Sequence, residues 1–140
     1  MADFAAIATA IATKAGGVAG VRHATHLVPD AVPFTPYVVV LPPNAQSQRP
    51  MSQEVIESDF PMHLYLARPG DTGRTLAQVY PYIASFYTAW RTGITLGTAS
   101  VQESWIVSHE LDDMPDYENR YLGIRFVVRV RTRENVSRTS

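Results

Sequence analysis

The chain has no cysteine, which removes disulfide frameworks and thiolate metal sites together. Lysine is nearly missing as well: Lys14 stands alone, and arginine supplies the other eleven of the twelve basic residues. Charged residues of both signs make up only 18% of the chain and nearly cancel to a net −1, so no overall field draws it to nucleic acid or anionic lipid. No apolar run approaches the roughly 20 residues that span a bilayer. The opening segment, MADFAAIATAIATKAGG, carries Asp3 where a secretory leader carries positive charge, and it lacks a strongly apolar centre. The expectation from these absences is a soluble protein made inside a cell.

What remains is a chain of 140 residues, 46% hydrophobic, without repeats or low-complexity tracts. That length suits one domain, 1–140, with a core of its own. The stretch TGRTLAQVYPYIASFYTAWRTG (72–93) sets Leu76, Val79, Tyr80, Ile83, Phe86, Tyr87 and Trp90 at three-and-four spacing, the stripe of an amphipathic helix over about 74–91. Asp71 or Thr72 offers a cap and Gly93 a left-handed stop. Pro81 implies either a kink or a short first turn followed by the main helix. A second helix, about 3–14, follows from Phe4, Ile7 and Ile11 among alanines, with Asp3 as cap and Gly16 and Gly17 as its end.

The rest reads as strand. Val21–Val28 is a weak one, and YVVVL (37–41) is a strong one whose unbroken apolar run implies cover on both faces. Ile56, Phe60, Met62, Leu64 and Leu66 alternate with Glu57, Asp59 and His63, while Pro61 places that strand at an edge or a bulge. Val101, Trp105 and Val107 alternate with Gln102, Ser104 and Ser108, and Ile106 on the polar side implies that the second face is partly covered too. After an acidic turn, ELDDMPDYE (110–118), Leu122, Ile124, Phe126, Val128 and Val130 form an inward row against outward Arg125, Arg129, Arg131 and Arg133. Between the second and third strands PPNAQSQRPMS (42–52) is polar, proline-rich and aperiodic, and reads as a long loop. A short flexible tail is expected at 135–140. The order of elements predicts an α+β fold, a mostly antiparallel sheet of about four to five strands packed against the central and N-terminal helices.

Catalytic patterns are weak throughout. His23 and His26 would leave a strand on opposite faces, and His63 and His109 stand singly. Gly16, Gly17 and Gly20 follow a helix instead of opening one, and Gly70–Arg74 lacks the lysine of a phosphate loop. No G-x-S-x-G elbow is present. Catalytic, metal-binding and cofactor-binding residues are therefore all expected to be none. The arginine row is the richer feature, because a planar guanidinium pairs carboxylates with two bonds at protein interfaces. Arg125, Arg129, Arg131 and Arg133, with Asp112, Asp113, Asp116 and Glu118 as acidic partners in a neighbouring copy, form the candidate subunit interface or channel lining. Pro43, Asn44, Gln46, Gln48 and Arg49 mark a candidate arm that orders only against a neighbour.

Taken together, the short opening helix, YVVVL, the loop at 42–52, the alternating strand leading into QVYPYIASFYTAW, and the closing YLGIRFVVRVRTRE span nearly the whole chain. In that layout the chain resembles the tail terminator proteins of long-tailed bacteriophages and related minor tail and tail-completion proteins. The family has no short diagnostic motif, so the likeness is one of order and texture. It implies an α+β subunit, in the virion's tail or neck, that assembles as a homohexameric ring on the last ring of tail tube protein. Such a ring stops tube polymerisation, meets the head connector or stopper protein, and lets DNA pass non-specifically through its hole. No catalytic residue and no cofactor come with the resemblance. Two alternatives stand beside it: a head-side neck protein, as a stopper or head-completion factor, and a small-ligand enzyme or binding domain.

Overall fold

The computed structural model describes residues 4–29, 32, 34–48, 53–67, 72–93, 95–97, 101–114 and 121–135. For 45–48, 53–56, 67, 72–78, 112–114, 121 and 133–135 it describes the backbone path alone. The elements in chain order are α1 (Phe4–Gly16), β1 (His23–Thr25), β2 (Tyr37–Val40), β3 (Asn44–Gln48), β4 (Gln53–Ala67), α2 (Thr72–Ala89), β5 (Val101–Met114) and β6 (Tyr121–Asn135). The fold is α+β, with a mostly antiparallel sheet. Among the described residues the sheet runs in the order β1-β2-β4-β6-β5, with β3 following β2 along the same flank of β4. β1 pairs β2 in parallel and every other pair is antiparallel.

Alternation decides the two faces. Phe60, Met62 and Leu64 of β4 and Ile124, Phe126, Val128 and Val130 of β6 are fully buried on one face. They meet Ile7, Ile11 and Ala15 of α1 and Val79, Phe86 and Trp90 from α2 and its end. Phe86 stacks on Phe126 with ring centroids 4.7 Å apart. Both helices therefore bury their stripes in the same core, as amphipathic faces do.

α2 continues through Pro81 as one helix. Pro81 lies on its exposed side, where water can reach the carbonyl that the missing N–H leaves unpaired. Tyr80, expected in the buried stripe, is instead 78% exposed. A stripe from Val79 through Phe86 to Trp90 leaves position 80 on its margin, and the phenol can remain in water there. At the helix end Gly93 takes a φ of 63°, the left-handed stop anticipated from the sequence. The single lysine reaches it: Lys14 Nζ of α1 donates to the Thr92 carbonyl at 2.8 Å and lies 5.6 Å from the Trp90 ring.

Three sequence expectations are corrected. Of the two readings of Pro61, the edge fails, since β4 lies between β6 and the β2/β3 flank; β4 does carry an irregularity, but it falls between Tyr65 and Ala67 and not at Pro61. Pairing with β2 stops at Met62 and pairing with β3 begins at Asp59. The Pro61 carbonyl accepts from Leu41 N at 2.8 Å, so its missing N–H faces the gap where one partner strand gives way to the next. The second correction concerns 42–52, expected to lack regular structure. Asn44–Gln48 forms β3, opposite Asp59 to Val55, because an available strand flank can order a polar segment that has no apolar alternation of its own. Gln46 and Gln48 thus belong to a strand, Asn44 starts it exposed, Pro43 precedes it half-buried, and Arg49 lies outside the described residues.

The third correction inverts part of β5. Ser104 and Ile106 face the core, whereas Trp105 faces away and Val107 is exposed. The pairing with β6 is irregular between Val101 and Glu103 and again between Ile106 and Ser108. Each irregularity shifts the two-residue phase that the sequence pattern assumes. β5 also runs on to Met114, so Glu110, Asp112 and Asp113 are strand residues and not part of a turn. Asp116 and Glu118 lie outside the described residues.

Candidate functional site

The sheet face turned away from the helices carries the arginine row. On β4 the two-residue period brings Glu57, Asp59 and His63 to this side; on β6 it brings Arg125, Arg129 and Arg131; on β5, Glu103 and Trp105. The register sets them in rungs across the three strands. Glu57, Arg131 and Glu103 make one, Asp59, Arg129 and Trp105 the next, and His63, Arg125 and Glu110 a third beyond Pro61, Val127 and Ser108. Arg133 opposes Val55 one step further along β6.

The side chains use that register. Arg129 Nε donates to Asp59 Oδ1 at 2.8 Å and its Nη2 to Oδ2 at 3.1 Å, the two-bond fork of a guanidinium on a carboxylate. Arg131 divides its fork, with Nη2 to Glu57 at 2.9 Å and Nη1 to Glu103 at 3.3 Å. Its guanidinium also lies 5.7 Å from the Trp105 ring. The hydrogen bond and charge of Asp59, and then Glu57, push the Arg129 pKa still higher than usual, so it stays charged throughout the accessible pH range. These side chains keep 27% to 43% of their surface in solvent, which makes the network screened and adjustable, unlike a buried ion pair.

Arg129 and Arg131 thus have partners within their own chain. The partners are Glu57, Asp59 and Glu103; the sequence pattern sets Glu57 and Asp59 on the outward phase of their strand without joining them to the arginines, and it does not single out Glu103. The signal was present in β4, where Glu57, Asp59 and His63 share the outward phase, but it needed the β4–β6 pairing to be read. His63 is buried, while the exposed His109 lies on the helix side, with Nδ1 2.8 Å from the Tyr87 hydroxyl.

Beside the ladder the same face turns apolar. Tyr37, Val39 and Tyr65 pack with Val32, Phe34 and Leu41 in a small cluster, which accounts for the burial of β2 on both sides. At the sheet's end, Arg22 lies 4.7 Å over the Phe34 ring and the His23 ring meets Tyr37 at a tilt, with centroids 5.1 Å apart. Among the described residues no group of three or more His, Asp or Glu is placed to hold a metal ion, and no helix is long and apolar enough to cross a membrane.

Neither a protein-family model nor a curated protein matches the chain.

Proposed function

We propose that this chain is a structural virion protein that acts by docking, as a tail terminator. Copies form a ring on the end of the tail tube, stop its polymerisation and present a surface to the head connector, with DNA passing non-specifically through the centre. The observation that carries this reading is the two-sided sheet: the helices seal one face, and the other presents charged rungs at fixed spacing. Held in register by three strands, the rungs make a patterned surface whose charges select and orient a partner. The sequence order shared with tail terminators names the assembly in which such a surface would be used.

The experiment is reconstitution with polymerising tail tube protein. Added in slight molar excess over tube ends, the protein should cap them with a single ring visible by electron microscopy, and tube length should stop increasing. Tubes that lengthen at the same rate with and without it, with bare ends, would overturn the proposal.

A further inference from the structure

Among the described residues β3 pairs β4 alone and makes an edge within one flank, while the two end strands of the sheet, β5 and β1, differ chemically. Among the same described residues β5, 14 residues long, pairs only with β6. On it Val107, Glu110 and Leu111 are exposed, and the strand continues through Asp112 and Asp113. At the other end β1 pairs only with β2. There Arg22 and His23 are exposed, and just past the strand Leu27 and Val28 leave 67% and 58% of their surface in solvent.

We propose that these ends pair between copies of the chain, β5 of one subunit lying antiparallel to β1 of the next, so that the sheet continues from subunit to subunit. Strand direction permits it. β1 runs with β2, β2 against β4, β4 against β6 and β6 against β5, so β1 and β5 run in opposite directions. A copy added in the same sense therefore brings an antiparallel partner to β5, the more stable of the two pairings.

Charge selects this partner over a second β5. Two β5 strands side by side would bring exposed Glu110 side chains of like charge together, which opposes pairing, whereas the β1 end carries exposed Arg22 and His23. The pairing also covers Leu111 on one side and Leu27 and Val28 on the other. The contact joins unlike surfaces, so every subunit keeps one free end until the series closes on itself. Three residues of β1 make few ladder bonds, and a lone pair of subunits is weakly held. Closure makes the last contact intramolecular and secures the whole. The ring reading above is needed for closure only.

Because the chain has no cysteine, single thiols report the contact cleanly. Full-length L27C and L111C, both at exposed positions, are treated with a short bis-maleimide, alone, mixed, and as the double variant, in the presence of tail tubes. Each single variant alone should stay uncrosslinked, the mixture should give dimers, and L27C/L111C should give a series ending at the mass of the closed ring. Dimers from L111C alone would overturn the pairing in favour of β5 on β5. Rings seen by native mass spectrometry without the 27–111 link would overturn it while leaving the ring reading intact. Links confined to open chains would keep the pairing and remove the ring, and a protein that never self-associates would remove both.

Discussion

Arg129 and Asp59 join two strands through two hydrogen bonds at a site about one third exposed. Exposed pairs contribute at most about 1 kcal/mol, because solvent screens them and holding the side chains costs entropy. A double-mutant cycle of R129A and D59A, read by urea unfolding, should therefore give a coupling of about 0.5–1 kcal/mol that shrinks in high salt. The same geometry rules out charge reversal as a clean probe of assembly. R129E with R131E would set two more acids among Glu57, Asp59 and Glu103, so a defect in ring formation could arise from a damaged sheet. Exchanging Asp59 and Arg129 keeps the pair and moves only the pattern. Tyr82 gives a pH signature. Burial raises its pKa above the ordinary 10.0, so the folded state favours the neutral phenol. Its contribution is fully present below pH 10 and falls as pH rises past that value, because the unfolded chain ionises first. Y82F should flatten the loss of stability between about pH 9 and 11, although Tyr87, raised for the same reason, keeps part of the slope. The variant should also lose about 1 kcal/mol at neutral pH, since the hydroxyl donates to the Gly20 carbonyl at 3.2 Å. An unchanged alkaline slope would remove Tyr82 from the account.

On α2 the contrast between Phe86 and Tyr80 measures which side of the helix holds the fold. Phe86 is fully buried between Phe126 and Trp90, and F86A should cost about 3–5 kcal/mol through lost burial and the cavity left behind. Y80A, removing a side chain that is 78% exposed, should change the urea midpoint by less than about 0.5 kcal/mol equivalent. Equal effects would mean that the stripe is rotated. The Phe86 side of this contrast was legible from periodicity, as were the inward rows of β4 and β6, because those patterns are phase-locked over many residues. What periodicity misses is whatever depends on a partner strand. Asn44–Gln48 has no apolar alternation and becomes β3 only because β4 has a free flank below Pro61. Trp105 looked inward because the irregularities in β5 leave no mark in a list of residue types. The ladder was half visible: both its acidic and its basic rows could be read from their strands, but their union depended on β4 and β6 being neighbours although α2 and β5 separate them in sequence.

That non-local adjacency also orders the stability of the molecule. Among the described residues β4 and β6 are bonded on both sides, whereas β5, β1 and β3 are each bonded on one. Amides of the inner strands exchange with solvent only through large openings, while those on open edges escape through local fraying. In the isolated subunit, hydrogen exchange read by mass spectrometry or NMR should find the slowest amides in 57–66 of β4 and 122–132 of β6. Edge-directed amides of 101–114 and 23–25 should exchange much faster. Assembly then changes the map selectively. If the ring is built by continuing the sheet, protection should rise at 23–25 and in part of 101–114 and change little in the already protected inner strands. If subunits instead meet through the charged face, the edge amides should remain fast while that face becomes less accessible to carbodiimide labelling at Glu57, Asp59 and Glu103. The two patterns are mutually exclusive for a given contact, because one buries backbone hydrogen-bonding groups and the other buries side chains. Uniform protection of β5 in the isolated subunit would contradict its place at the edge and, with it, the availability of that edge for a second copy.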